Sequence, residues 1–84
     1  MKNSMITFRS VTPAQRGESL LRKNGYTCVL RRTPRWMQEQ GCGYSLQIRH
    51  LDADDCVRIL RENKIMFKKV YLLRENGSAE EILI

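Results

Sequence analysis

Two stretches of helical periodicity, each bracketed by short runs of alternating apolar residues, decide what this chain can fold into. The clearer one follows Asp52. Ala53, Cys56, Val57 and Leu60 fall at i, i+3, i+4 and i+7, and Ile59 widens the stripe. Asp52 is the N-cap candidate, and Asp54 and Asp55 occupy the first turn, where acids favour the helix dipole. The other stretch carries Ala14, Gly17, Leu20 and Leu21 on its inner face. Thr12 as N-cap, Pro13 at the first helical position and Gln15 completing a Thr-x-x-Gln box predict its start, and Asn24-Gly25 predicts its end. A mid-helix glycine costs about 1 kcal/mol relative to alanine, so Gly17 predicts a close contact with a sheet.

The strand signals lie at 5–9, with Ile6 and Phe8 on one face, then 26–32, 44–49 and 66–73. Strand, helix, strand, strand, helix, strand predicts an α+β fold: a ferredoxin-like βαββαβ sandwich, a four-stranded antiparallel sheet with two helices on one face. This single domain is expected to span residues 1–74. Residues 75–84 form a C-terminal extension in which the turn signal Glu75-Asn76-Gly77-Ser78 leads to an extra edge strand at 80–84. A tail is the alternative, but Ile82, Leu83 and Ile84 argue for packing or for self-association as a homodimer.

At 84 residues the chain can build one small core. No apolar run approaches the ~20 residues of a membrane span. The start, Met1-Lys2-Asn3-Ser4-Met5, lacks a secretory apolar region, so a cytoplasmic location is expected. Three cysteines and one histidine match no zinc spacing, so neither a metal nor a tightly bound cofactor is expected, and the thiols read as free. The net charge of +6 favours nucleic acid, phosphorylated metabolites or an acidic protein surface, although solubility alone also explains it. The charge is uneven: Arg31, Arg32 and Arg35 cluster shortly before Cys42, whereas the chain end is acidic.

The chemistry concentrates at Gly41-Cys42-Gly43. Flanking glycines leave the sulfur uncovered and let the backbone turn or approach a partner closely. An ordinary hairpin turn that includes a cysteine is the competing reading. In the expected topology, the hairpin lies at the same end of the sheet as the start of the first helix. There the helix dipole, with Arg9, Arg16, Arg31, Arg32 and Arg35, would stabilise a thiolate and lower its pKa by one to several units, roughly. Hydrolysis needs a base, and His50, the only histidine, falls at the far end of the third strand. A redox switch needs a second accessible thiol, yet Cys28 and Cys56 read as core. Carriage of sulfur as a persulfide needs only accessibility, anion stabilisation and a docking surface. Trp36 and Met37 suit partner contact, or Trp36 folds back over the sheet end. RNA binding is the main rival, and a regulatory or oligomerising module that binds a small molecule or partner by its sheet edge is a third reading. Only Phe8 and Tyr44 offer aromatics on the strands concerned, and Tyr44, Leu46 and Ile48 are expected to point into the core.

The run Ile6-Thr7-Phe8-Arg9-Ser10-Val11-Thr12-Pro13-Ala14, then Leu20-Leu21 to Gly25, Arg32-Thr33-Pro34-Arg35 and Gly41-Cys42-Gly43-Tyr44-Ser45-Leu46 resembles a family of small bacterial proteins described as selenium/sulfur carrier-like. The helix at 52–63 and the strand with Val70-Tyr71 also fit, so the resemblance covers about residues 5–73. It implies that Cys42 is the acceptor thiol, with sulfur or selenium donor and acceptor proteins as partners, a cysteine desulfurase being a natural donor. The helix start at Thr12 and Arg35 would stabilise the anion, and Arg31, Arg32, Trp36 and Met37 would meet the partner. Two features depart from the family. Its loop before the cysteine usually holds small serine-like residues, whereas this chain has Trp36-Met37-Gln38-Glu39-Gln40-Gly41, and Ser10-Val11-Thr12 lacks some expected polar residues.

Overall fold

Alternation of apolar side chains fixes which face of each strand meets the helices. The structure, a computed structural model, describes residues 2–33 and 43–82. Among them the elements run β1 (Asn3–Phe8), α1 (Val11–Lys23), β2 (Cys28–Arg32), β3 (Tyr44–Arg49), α2 (Ala53–Glu62), β4 (Val70–Leu73) and β5 (Ala79–Ile82), with a 3-10 turn at His50–Asp52 leading into α2. The strands form one antiparallel sheet of order β2-β3-β1-β4-β5. The expected four-stranded sheet therefore has five strands. After Leu73 the chain turns through Gly77, at φ +87°, and the Arg74 N–H bonds the Ser78 carbonyl at 2.9 Å, laying β5 along β4.

The register pairs Ile6 with Leu46 and Val70, and Leu46 with Leu30, so these residues share one face. Both helices pack there. Ala14 and Leu21 of α1 and Cys56, Val57 and Leu60 of α2 join Ile6, Phe8, Leu46 and Ile48 in one buried cluster. Burying each large side chain contributes about 1.5–3 kcal/mol. Gly17 is where α1 comes closest: a Cβ there would lie 3.2 Å from both Leu46 Cδ1 and Leu60 Cδ2, and 3.5 Å from Phe8 Cζ. The close contact expected of this glycine is thus with the sheet and with α2 together.

Three local readings change. Ser10, in extended backbone (φ −141°), is the N-cap of α1, and it makes no side-chain cap bond. Thr12 and Pro13 therefore lie inside the first turn, and Thr12 caps nothing. Pro13 is tolerated there because the first-turn N–H groups have no partner within the helix. At α2, Asp52 holds the N-cap position but sends its carboxylate to Arg49 Nε, 3.0 Å away, rather than to the helix backbone. The fourth strand starts at Val70 rather than 66, because Lys68 and Lys69 both face Thr7. The Lys68 N–H reaches the Thr7 carbonyl at 2.7 Å, the Lys69 N–H reaches Thr7 Oγ1 at 3.1 Å, and the Thr7 N–H returns to the Lys69 carbonyl at 2.8 Å. Two residues opposite one make a bulge, which turns the alternation so that Phe67 and Val70, three apart, both pack on the core. The second strand likewise starts at Cys28, two residues later than expected.

Both helices end in Schellman motifs. In α1 the Tyr26 N–H bonds the Leu21 carbonyl and the Gly25 N–H bonds the Arg22 carbonyl, each at 3.0 Å. In α2 the Ile65 N–H bonds the Leu60 carbonyl and the Lys64 N–H that of Arg61, at 2.9 and 3.1 Å. The left-handed position is Gly25 in the first and Lys64, at φ 58°, in the second.

The open edge of β2 is closed from α1. The Leu30 N–H donates to Glu18 Oε2 at 3.3 Å, and Arg22 donates to the Cys28 carbonyl at 3.0 Å. Glu18 and Arg22 are themselves an ion pair at 3.6 Å. Side chains that occupy outward backbone groups keep an edge from pairing with another strand.

Candidate functional site at the end of the sheet

The register places Arg32, Tyr44 and Phe8 in one row at the end of the sheet. β1 leaves this end through Arg9 and Ser10 into α1. The Thr33 N–H donates to the Gly43 carbonyl at 3.0 Å and closes the base of the β2–β3 connection in the same place. The hairpin base and the first turn of α1 thus share one end, as the topology predicts. Cys42, Arg35, Trp36, Met37 and Gly41 lie outside the described residues. Gly43, the residue joined to Cys42, is half-buried, and a Cβ there would meet nothing within 4 Å. No neighbour among the described residues demands a glycine at 43.

The two arginines that end β2 separate. Arg32 lies on the helix-side face, its guanidinium 5.8 Å from the centroid of the Tyr44 ring. Arg31, one residue earlier, pairs in register with Ser45 and belongs to the opposite face. Thr12 and Arg16 line a groove of about 430 Å³ with Gln15, Ser19, Asn63 and Ile65, at the C-terminal end of α2. Of the basic residues expected to gather around the hairpin, Arg32 stands in the end row, and Arg16 faces another groove.

Cys28 and Cys56 are free and buried. Burial pushes the Cys28 thiol up, and a hydrogen bond and the positive charge of Arg22 partly oppose it. Cys56 is pushed up to about 12, first by burial and then by the charges of Asp52 and Asp55 and the neighbouring Cys28. Neither offers a thiolate at neutral pH. Among the described residues no cluster of His, Cys, Asp and Glu side chains could hold a metal ion. No helix among them is long and apolar enough to cross a membrane.

The helix-free face of β1 and β3 carries Asn3, Met5, Thr7, Ser45, Gln47 and Arg49 by register. The aromatics Phe8 and Tyr44 belong to the other face, Phe8 in the core and Tyr44 packed against it. On β1 and β3 stacking of RNA bases therefore has no ring to use, and among the described residues a ring on this face comes from β4, Tyr71 opposite Met5.

Sequence reasoning missed a groove on the other side of the α1 start. It encloses about 310 Å³ between Arg9, Ser10 and Pro13 and the bulged segment Met66, Phe67 and Lys68. The signal was present as Lys64-Ile65-Met66-Phe67-Lys68-Lys69, basic residues around three apolar ones. It reads as plain strand until the bulge turns Met66 outward.

The described residues form an α+β domain of two helices on one antiparallel sheet, and that defines the class of this protein. A family model described as "Putative Se/S carrier protein-like" matches residues 3–72, and the chain belongs to that family. Comparisons with curated proteins and with solved structures give no match.

Proposed function

We propose that the protein carries sulfur or selenium as a persulfide or selenopersulfide on Cys42. The observation that carries this reading is membership of a carrier-like family over residues 3–72, a span that contains Gly41-Cys42-Gly43. The shared sheet end supports it, since it joins the residue next to Cys42 to the end from which α1 starts. In the transfer, the Cys42 thiolate attacks the terminal sulfur of a donor persulfide. A new S–S bond forms at Cys42, the donor S–S bond breaks, and the donor leaves as a thiolate. An acceptor nucleophile then takes the terminal sulfur and regenerates the Cys42 thiolate. Gly41 and Gly43 leave room for both partners. The first turn of α1, with Thr12, and Arg35 would hold the anion, while Arg31, Arg32, Trp36 and Met37 would meet the partner. The order β4-β1-β3-β2 within the sheet supports a ferredoxin-like domain over residues 1–74, extended by residues 75–84. A cytoplasmic setting and a cysteine desulfurase as donor suit this chemistry.

Intact-mass spectrometry after incubation with a desulfurase and cysteine tests the reading. A reductant-labile gain of one sulfur that maps to Cys42 and disappears in Cys42→Ser is expected. No adduct, from a thiol that still alkylates readily, would overturn carriage.

A further inference from the structure

The segment between α2 and β4 is a surface built for contact rather than for packing. Met66 is 82 % exposed, the most exposed large apolar side chain among the described residues. Its neighbour Phe67 does the opposite, packing against the core with the Arg61 guanidinium 5.6 Å from its ring centroid. Grooves flank the segment on both sides. One, of about 310 Å³, lies against Arg9, Ser10 and Pro13, and the other, of about 410 Å³, against Arg61, Lys64 and Ile65. Arg9, Lys64 and Lys68 are exposed and form no ion pair among the described residues. Three exposed cations without an ion pair among the described residues therefore stand near an exposed methionine, on a segment tied to Thr7 by the bulge bonds and so held in place.

The geometry points to a docking surface for an acidic protein segment that carries an apolar anchor residue. Charge complementarity selects the acidic partner, since like charges on both sides would repel. Met66 selects the apolar anchor: an unbranched thioether adapts to varied side chains, which is how methionine serves at binding surfaces. RNA is the poorer occupant. Base recognition without a duplex relies on exposed rings, and the one ring here is packed beneath and covered by Arg61. The surface goes beyond sulfur carriage, because it uses no thiol, but its place beside the α1 start would let one docked protein also reach the hairpin.

The test is an amide chemical-shift titration of the full chain, in reductant, with a synthetic peptide of alternating glutamate and leucine. Two comparison probes are the same peptide with serine for leucine, and oligouridine RNA. Shifts confined to Arg9, Ser10, Met66, Phe67 and Lys68 and their neighbours are expected. Lys68→Glu combined with Arg9→Glu should weaken binding about tenfold or more, and Met66→Ser about threefold. Met66 and Lys68 are exposed, so these variants should keep the remaining spectrum, which the same experiment reads. Equal binding of the serine peptide, tighter binding of the RNA, shifts centred on Arg31 and Arg32, or no shift with any probe would each overturn the proposal. None of these outcomes depends on Cys42, so failure here is distinct from failure of carriage.

Discussion

The first strand–helix–strand half, β1-α1-β2, presents a bare glycine where its helix meets the second, β3-α2-β4, and the second presents leucines there. α1 turns Ala14, Gly17 and Leu21 inward, whereas α2 turns Ala53, Cys56, Val57, Ile59 and Leu60. Leu60 and Leu46, both of the second half, converge on Gly17, a position of the first that has no side chain. The halves also treat their edges and thiols differently. β2 is an outer strand closed by Glu18 and Arg22, while β4 is interior, between β1 and β5. Cys28 has the cation Arg22 beside it, and Cys56 has Asp52 and Asp55. At Gly17 two copies of one element order have thus become a groove and its filling.

The sharpest way to break that comparison is to fill the groove. Gly17→Leu should cost about 3 kcal/mol in urea unfolding, because the added atoms meet Leu46 and Leu60 at a position already 3.2 Å from each. Leu60→Ala alone should cost about 2–5 kcal/mol. The double variant should cost clearly less than the sum, since each change relieves the other. Strict additivity would show that the two halves do not meet at Gly17.

The thiols sharpen the contrast through pH. Cys56 keeps its proton in the folded state up to about 12, while an unfolded cysteine loses it near 8.5. Its contribution to stability is therefore complete below the unfolded value and is lost as pH rises towards 12. Between these values the slope reaches about 1.4 kcal/mol per pH unit. Urea midpoints between pH 8 and 11 should fall, and Cys56→Ala should fall less steeply. Cys28→Ala should change the slope less, because Arg22 offsets part of the burial there.

A smaller effect is expected at the edge. Glu18→Ala removes the acceptor for the Leu30 N–H and should cost about 1 kcal/mol. It should also bring concentration-dependent association in sedimentation runs, because β2 would then offer free backbone groups. An unchanged sedimentation coefficient would show that Glu18 does not guard this edge. The smallest effect concerns the helix ends. Lys64→Gly should stabilise by about 0.5–1 kcal/mol in thermal unfolding, relieving a left-handed non-glycine residue, while Gly25→Ala should destabilise by a similar amount.

The acidic first turn of α2, its apolar stripe and the bounds of β3 at Tyr44–Arg49 were legible in the chain, since periodicity and the helix dipole act over a few neighbouring residues. The Gly17 contact was legible for a different reason: a costly glycine signals a neighbour, though not which one. The α1 start was misread because Ser10 and Thr12 are equivalent as local caps. Three-dimensional packing decided between them, carrying the extended backbone of Ser10 off the end of β1. For the candidate site, the chain order implied that the hairpin and the helix start share an end, and the pairing of Phe8 with Tyr44 and of Tyr44 with Arg32 bears that out. The parting of Arg31 from Arg32 follows from strand alternation once the register is known.

What the sequence determined by itself is the alternation of strands and helices and the glycine-flanked cysteine, because both are written in adjacent residues. Only the tertiary structure decided the bulge at Lys68 and Lys69, the closing of the β2 edge from α1 and the basic groove around Met66. The bulge and the groove depend on residues far apart in the chain, and the edge closure on side chains 6 and 12 positions away that a turn brings back alongside β2. Thr7 and Lys69 are separated by 62 positions, and no local pattern can encode the hydrogen bond that joins them.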